Sequence, residues 1–289
     1  VNATPPPASV RGNDWRSLDV AAVANFKPLL PVTVVIPYFE APEALELTLA
    51  GLERQTYPRE LLEVVIVDDG SAIPLVAPAD SALSLRVLHQ QDQGFGAARA
   101  RNNGAHVAKG EILLFLDCDM VPEADWIRFH ARWHHAACDV LTLGFRRHVD
   151  VFGITAEALR SRSGSLTEFF ADRPSEKPEW IESRMARTNS LTDGDDSIFR
   201  AVTSGNLGVS ASFFATVGGF DESFNRWGGE DGEFGYRALA MGAVLVPERD
   251  ALCWHQGPGA QISEEEQQSL TQLRGKILNL IPPRRPNDP

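Results

Sequence analysis

Hydrophobic positions along the chain fall into two alternating rhythms. Continuous β-branched or leucine-rich runs of strand length occur at VTVVIP (32–37), LEVVIVDD (62–69), LSLRVLHQ (83–90) and EILLFLD (111–117). Between them lie stretches with helical spacing. PEALELTLAGLERQ (42–55) has Pro42 near its start and apolar residues at 45, 49 and 52. GFGAARARNNGAHVAKG (94–110) is rich in Ala and Arg and stops at Gly110, and PEADWIRFHARWHHAA (122–137) follows the fourth strand. Unbroken apolar strands alternating with helices predict a mostly parallel sheet covered on both faces, the α/β class. In such a sheet, ligands bind beyond the carboxyl ends of the strands, where strand order reverses.

The second half is less regular. DVLTLGFRRH (139–148) predicts a strand, ITAEALRSRSGSLTEFFAD (154–172) one helix, and SLTDGDDS (190–197) an exposed acidic loop. SFFATVG (212–218) predicts a helix, ALCWH (251–255) a strand, and SEEEQQSLTQLRGKIL (263–278) a helix opened by a Ser with Glu three residues on. Residues 1–30 are Pro-rich and read as an arm with one short helix around DVAAVANF. No linker divides residues 31–289, so the expectation is one domain with unequal halves, 31–145 and 146–289.

Composition narrows the function classes. A net charge of −12 argues against nucleic acid or anionic membrane as the main partner. No apolar run is long enough to span a bilayer, and VNATPPPASVRGNDW lacks the pattern of a signal peptide. Three widely spaced cysteines fit reduced thiols, and a cytoplasmic location is expected.

Acidic residues cluster where the strands end: Glu40, then Asp68 and Asp69, then Asp117 and Asp119. Each alone could cap a turn, but five gathered carboxylates repel and call for a cation. Arg99, Arg101 or a bound divalent metal could serve. On a strand, Asp117 and Asp119 would face the same side and Cys118 the other. Their hard oxygens suit Mg²⁺ or Mn²⁺. FNRWGGEDGEFGYRALAMG (224–242) adds a Trp-Gly-Gly turn delivering Glu230 and Asp231 to a helix start. His130 and His134 lie one helical turn apart with Ala131 between them, not the Glu of a zinc motif, and read as packing residues. GFGAAR lacks the third Gly of a dinucleotide fingerprint and follows the third strand, so it carries no such reading.

VVIPYFEAPEALELTLAGLERQTYP, VVIVDDGS, GAARARNNGAHVAKGEILLFLDCDM and SGNLGVSASFFATVGGFDESFNRWGGEDGEFGYRALAMG, in that order, resemble family-2 glycosyltransferases of the GT-A fold. The Trp-Gly-Gly-Glu-Asp stretch is also similar to that of galactosyl- and N-acetylgalactosaminyltransferases. The resemblance implies a Rossmann-like sheet with a nucleotide-sugar half and an acceptor half. It implies that Pro37, Tyr38 and Glu40 lie against base and ribose, that Asp69 accepts from the base, and that Arg99 lies near the diphosphate or holds the acidic loops in place. Asp117 would approach ribose or donor sugar. Asp119 and His255 would ligate Mn²⁺ or Mg²⁺. Trp227, Gly228, Gly229 and Glu230 would contact acceptor or sugar, and Asp231 would be the base of an inverting transfer. The expected activity is metal-dependent transfer from a UDP-sugar to a small-molecule, peptide or oligosaccharide acceptor. A non-catalytic nucleotide-sugar or glycan binder is the alternative. A sugar-nucleotide pyrophosphorylase is less favoured, because IPYFEAPEAL has no glycine-rich basic loop for a triphosphate.

Overall fold

Four strand-length runs pair in parallel, as their unbroken apolar character requires. The computed structural model describes residues 13–78, 81–193, 198–257, 271–273 and 275–276. Its first half runs α1 (Val20–Ala24), β1 (Val32–Tyr38), α2 (Pro42–Glu53), β2 (Leu62–Asp68), β3 (Ser84–His89), α3 (Ala97–Val107), β4 (Ile112–Leu116), β5 (Met120–Pro122) and α4 (Trp126–His134). The second runs β6 (Val140–Val149), α5 (Ala156–Arg160), α6 (Leu166–Phe169), β7 (Ser175–Glu176), α7 (Glu179–Arg187), β8 (Asn206–Ser210), α8 (Ala211–Val217), α9 (Glu230–Ala240) and β9 (Val244–Gln256).

The strands form one sheet in the order β3-β2-β1-β4-β8-β6-β9-β5, with β7 on β6. β8 runs against both β4 and β6, and β6 runs with β9. Thus β1, β2, β4, β6 and β9 all end on the same edge of the sheet. The order reverses between β1 and β4. There the β1–β4 ladder stops at Val35 and Phe115, while β1 stays paired to β2 as far as Tyr38 and Asp68. Pro37, which has no N–H to donate, lies in the stretch where β4 no longer pairs. The two strands part there and open a crevice.

Alternation along β1 feeds two cores. Val34 and Ile36 pack with Val64, Ile66 and Leu45, Leu49 and Leu52 of α2 on one face, and Val35 packs with Phe115, Leu207 and Phe234 on the other. α3 approaches the sheet closely because Gly104 leaves room, since a Cβ there would lie 2.3 Å from Val35.

The irregular second half is organised by Asn206. Its side-chain amide donates to the carbonyls of Phe145 (2.9 Å) and Ala251 (3.0 Å), and its oxygen accepts from Trp126 Nε1 (2.8 Å). His130 Nε2 lies 2.8 Å from the same oxygen and Nδ1 2.6 Å from the Thr142 hydroxyl. Those partners fix a neutral ring carrying its proton on Nε2, and burial pushes its pKa down to about 4. Phe145 and Ala251 flank the place where β9 carries extra residues: Gly144 faces Glu248, but Phe145 faces Leu252. Asn206 therefore clamps a bulge, and Gly144 has no side chain to collide with it.

Several expectations change. The helix expected over 154–172 breaks into α5 and α6, because Gly164 (φ +94°) reverses the chain and Ser165 caps a new start. β4 ends at Leu116, so Asp117 and Asp119 sit in the turn before β5 and strand alternation does not relate them. Helix α7, which buries Ile181 and Met185, and strand β5 were not foreseen. From Asn13 the N-terminal segment packs on the domain: the Asn13 amide donates to the carbonyls of Leu191 and Leu245. Leu191 within SLTDGDDS is buried, and residues 194–197 of that loop lie outside the described residues. So does most of the helix expected over 263–278, apart from helical Thr271–Leu273, Gly275 and Lys276. His130 and His134 are buried packing residues.

Asn206→Ala would leave four buried polar partners unmet. At roughly 1–3 kcal/mol for each buried group left unsatisfied, partly relieved by relaxation, the expected loss is about 3–5 kcal/mol in urea unfolding. A loss below about 1 kcal/mol would show that Asn206 does not hold the bulge.

Candidate functional site

At the shared strand edge the chain buries an arginine among carboxylates. α3 turns small residues toward the sheet, with Ala98, Ala100 and Gly104 buried, and Arg101 lies in that same stripe. Its Nη2 donates to Asp117 Oδ1 at 2.8 Å and its Nη1 to Glu230 Oε1 at 3.2 Å. Arg101 is 5% exposed and Glu230 4%. The neighbouring carboxylates hold the guanidinium's pKa above its ordinary value against the effect of burial.

Glu230 and Asp231 open α9 behind Gly228 (φ +89°) and Gly229 (φ +99°). These left-handed conformations suit glycine and turn the chain sharply enough to aim both carboxylates inward. Burial, then the charge of Asp231, pushes Glu230 up to about 7, against the pull of Arg101. Asp231 is also raised by burial, with Arg101 and Ser204 opposing. Among the described residues Glu230 Oε2 and Asp231 Oδ1 have no hydrogen-bond partner. Trp227, half exposed, stands at the rim.

Asp119 and His255 meet across a short ladder. β5 pairs Met120 with His255, the Gln256 amide donates to the Asp119 carbonyl at 3.0 Å, and His255 Nε2 lies 3.5 Å from Asp119 Oδ2. Burial, then the Asp117 charge, pushes Asp119 up to about 6, while Arg146 pulls it down. Burial, with Arg146, holds His255 below its usual pKa and hence neutral. Asp119 Oδ1 and His255 Nδ1 lack partners among the described residues. A carboxylate and a neutral imidazole side by side are a donor set suited to Mn²⁺. Among the described residues no three His, Cys, Asp or Glu side chains form a cage. A cation here would thus take further ligands from water and a bound phosphate, as Mg²⁺ and Mn²⁺ commonly do.

The other expected residues divide. Asp69 already accepts from Gln90 Nε2 (2.6 Å), the Gly96 amide (2.8 Å) and Arg99 Nη2 (3.4 Å), so it ties the start of α3 to β2. Arg99 also donates to the Gln91 carbonyl. Asp68 is turned inward, accepting from the Ser71 and Leu75 amides. Pro37 is half-buried beside the crevice and Glu40, at φ +46°, is exposed. The Tyr38 ring is 4% exposed in the core beside α2, so Phe39 and Glu40 are the residues there that reach solvent. Cys118 packs against that core, and burial raises its thiol to about 12.

Two residues went unforeseen. Arg146 acts on both Asp119 and His255, and His148 pairs with His255 in the β6–β9 ladder, ring centroids 4.5 Å apart. The polar run RRH closing an otherwise apolar strand was the available signal. Arg101 was among the expected counter-ions, and its place inside a stripe of small residues marks its burial.

Residues 33–193 match the model of glycosyl transferase family 2, and residues 186–246 that of the N-terminal domain of galactosyltransferase. The chondroitin synthase of Pasteurella multocida (strain Pm70) is 30% identical over 86% of this chain and 27% of its own length. The validoxylamine A glucosyltransferase of Streptomyces hygroscopicus subsp. jinggangensis is 31% identical over 78% of this chain and 54% of its own. The chain thus spans about a quarter to a half of these relatives. A structure of GalNAc-T7 with UDP, GalNAc and Mn²⁺ superposes with TM-score 0.60 at 18% identity, covering 86% of this chain and 48% of that one. That likeness establishes the GT-A fold.

The raised Glu230 pKa gives a signed prediction. A carboxyl whose folded pKa (about 7) exceeds the unfolded value near 4.5 stabilises the fold at low pH, and that contribution is lost as pH rises through 7. Glu230→Gln removes the penalty, so its melting temperature relative to the parent is higher at pH 8 than at pH 5. An equal difference at both pH values would contradict the shift.

Proposed function

Since the chain belongs to glycosyl transferase family 2, we propose that it is a metal-dependent, inverting transferase that moves a sugar from a UDP-sugar to an acceptor hydroxyl. The observation that carries this reading is the unpartnered Asp231 Oδ1, set beside the Arg101-clamped Glu230 at the edge where the parallel strands end. An acceptor hydroxyl attacking the anomeric carbon must shed its proton as the bond forms, and Asp231 Oδ1 is free to take it. A pKa raised by burial makes Asp231 a better base than an exposed carboxylate. The bond from the anomeric carbon to the diphosphate oxygen breaks, its electron pair leaving with the nucleoside diphosphate. Attack from the opposite face inverts the centre.

Glu230 Oε1 is held by Arg101, and its free Oε2 accepts from a sugar hydroxyl. Trp227 stacks on a sugar face, and Gly228 and Gly229 let the backbone approach it. Pro37 and Glu40 flank the nucleoside at the crevice, with Asp69 and Arg99 shaping its wall. Asp117 orients the ribose or donor sugar. Asp119 and His255 would hold Mn²⁺ or Mg²⁺, which would supply Lewis-acid charge to offset that growing on the departing diphosphate. That a structure of the same fold, GalNAc-T7, holds UDP and Mn²⁺ supports a divalent metal and a UDP donor. The half over 31–145 serves the donor and the half from 146 the acceptor.

Asp231→Asn is expected to lower turnover by about a hundredfold or more, the scale of general-base catalysis, while UDP affinity in Mn²⁺ is retained. Comparable turnover at saturating donor would exclude Asp231 as the base. Asp119→Ala is expected to abolish the gain in UDP affinity that Mn²⁺ gives the parent, read by calorimetry. A parent that binds UDP equally with and without Mn²⁺ would exclude the metal.

A further inference from the structure

Beside the acidic cluster lies a patch of the opposite sign. Arg146 on β6 and Arg184 on α7 both stand over the Trp180 ring, their guanidinium carbons 5.8 and 5.2 Å from its centroid. Trp180 is 44% exposed and both arginines are half-buried, so the pair lies at the surface, not in the core. Arg187 and Arg200 lie near enough to disfavour the charge on Arg184: burial first, then these two arginines, lower it to about 10. Among the described residues none of these four arginines makes an ion pair, whereas Arg99, Arg101, Arg132, Arg160 and Arg237 do. Arg184, Arg187 and Arg200 thus gather at α7 with no ion-paired carboxylate among the described residues, while Arg146 stands between them and the acidic cluster, where it offsets Asp119. Like charges drawn together repel, and an anion placed between them removes that cost.

Position supplies the rest. Arg146 is felt by both Asp119 and His255, and a Cβ on Gly205 would lie 2.3 Å from Asp117 Oδ2 and 3.5 Å from Arg146 Nη2. The patch therefore begins at the edge of the site and runs outward along α7. We propose that Arg146 and Arg184, held on Trp180, form an acceptor subsite for the anionic group of a charged sugar unit. The guanidinium fork matches a carboxylate, sulfate or phosphate by two parallel hydrogen bonds. Aromatic stacking fixes the forks before the ligand arrives, so less side-chain freedom is lost on binding. The assignment to the acceptor rests on the transferase reading above.

Calorimetric or NMR titration of the intact chain, saturated with Mn²⁺ and UDP, tests it with four probes: methyl glucoside, methyl glucuronide, and the 6-sulfate and 6-phosphate of methyl glucoside. The charged glycosides are expected to bind about tenfold tighter than the neutral one, the scale of one charge-assisted hydrogen bond. Their rank identifies the anion. Arg184→Gln is expected to erase that preference, and Arg184→Lys to keep part of it, with UDP affinity unchanged as the control for folding. Equal binding of charged and neutral glycosides, or a preference that survives the Arg146→Gln/Arg184→Gln double variant, would overturn the subsite. A parent that fails to bind UDP with Mn²⁺ would overturn the transferase reading instead, and the same titrations separate the two.

Discussion

The site depends on one buried guanidinium. Arg101 reaches from α3, which lies on the β1–β2 side of the crevice, to Asp117 at the end of β4 and Glu230 at the start of α9. Without it, the buried Glu230 carboxylate would face the half-buried Asp117, with Asp231 adjacent. Removing one partner of such a buried network typically costs about 3–5 kcal/mol, because a charge is stranded. The same arginine leaves one oxygen of Glu230 and one of Asp231 unengaged, so the device that assembles the carboxylates also leaves them able to act.

Around that point the sheet brings distant segments to one edge. Parting of β1 and β4 beyond Val35 opens the crevice, and Asp117 follows directly on β4. On the far side, the bulge clamped by Asn206 sets the register in which His255 meets both His148 and Met120. Three extra residues in β9 would otherwise shift His255 out of reach of Asp119. Packing in the second core thus decides which side chain stands beside the acidic turn.

The first half was legible because its signal is local. Buried parallel strands read as unbroken apolar runs, and Pro42 and the Ala-rich α3 announce their own elements. The carboxylates at strand ends were visible for the same reason. The second half was harder because its elements are short and held by side-chain networks. α7 buries two residues, and α5 and α6 are parted by the short turn 161–165, in which Gly164 is left-handed. Tyr38 shows the limit of motif reasoning: the motif brings it to the crevice, but strand alternation turns its ring into the core. The role of Arg101 could not be read from spacing, because its partners lie 16 and 129 residues away.

The central claim is that Arg101, Glu230 and Asp231 form one electrostatic unit. Carbon-13 NMR titration of labelled Asp and Glu carboxyl groups tests it most directly, in the parent and in Arg101→Gln. The account predicts that Glu230 titrates near 7 in the parent and higher once the guanidinium is gone. Titration at an ordinary glutamate value of about 4.3, unmoved by the substitution, would contradict it.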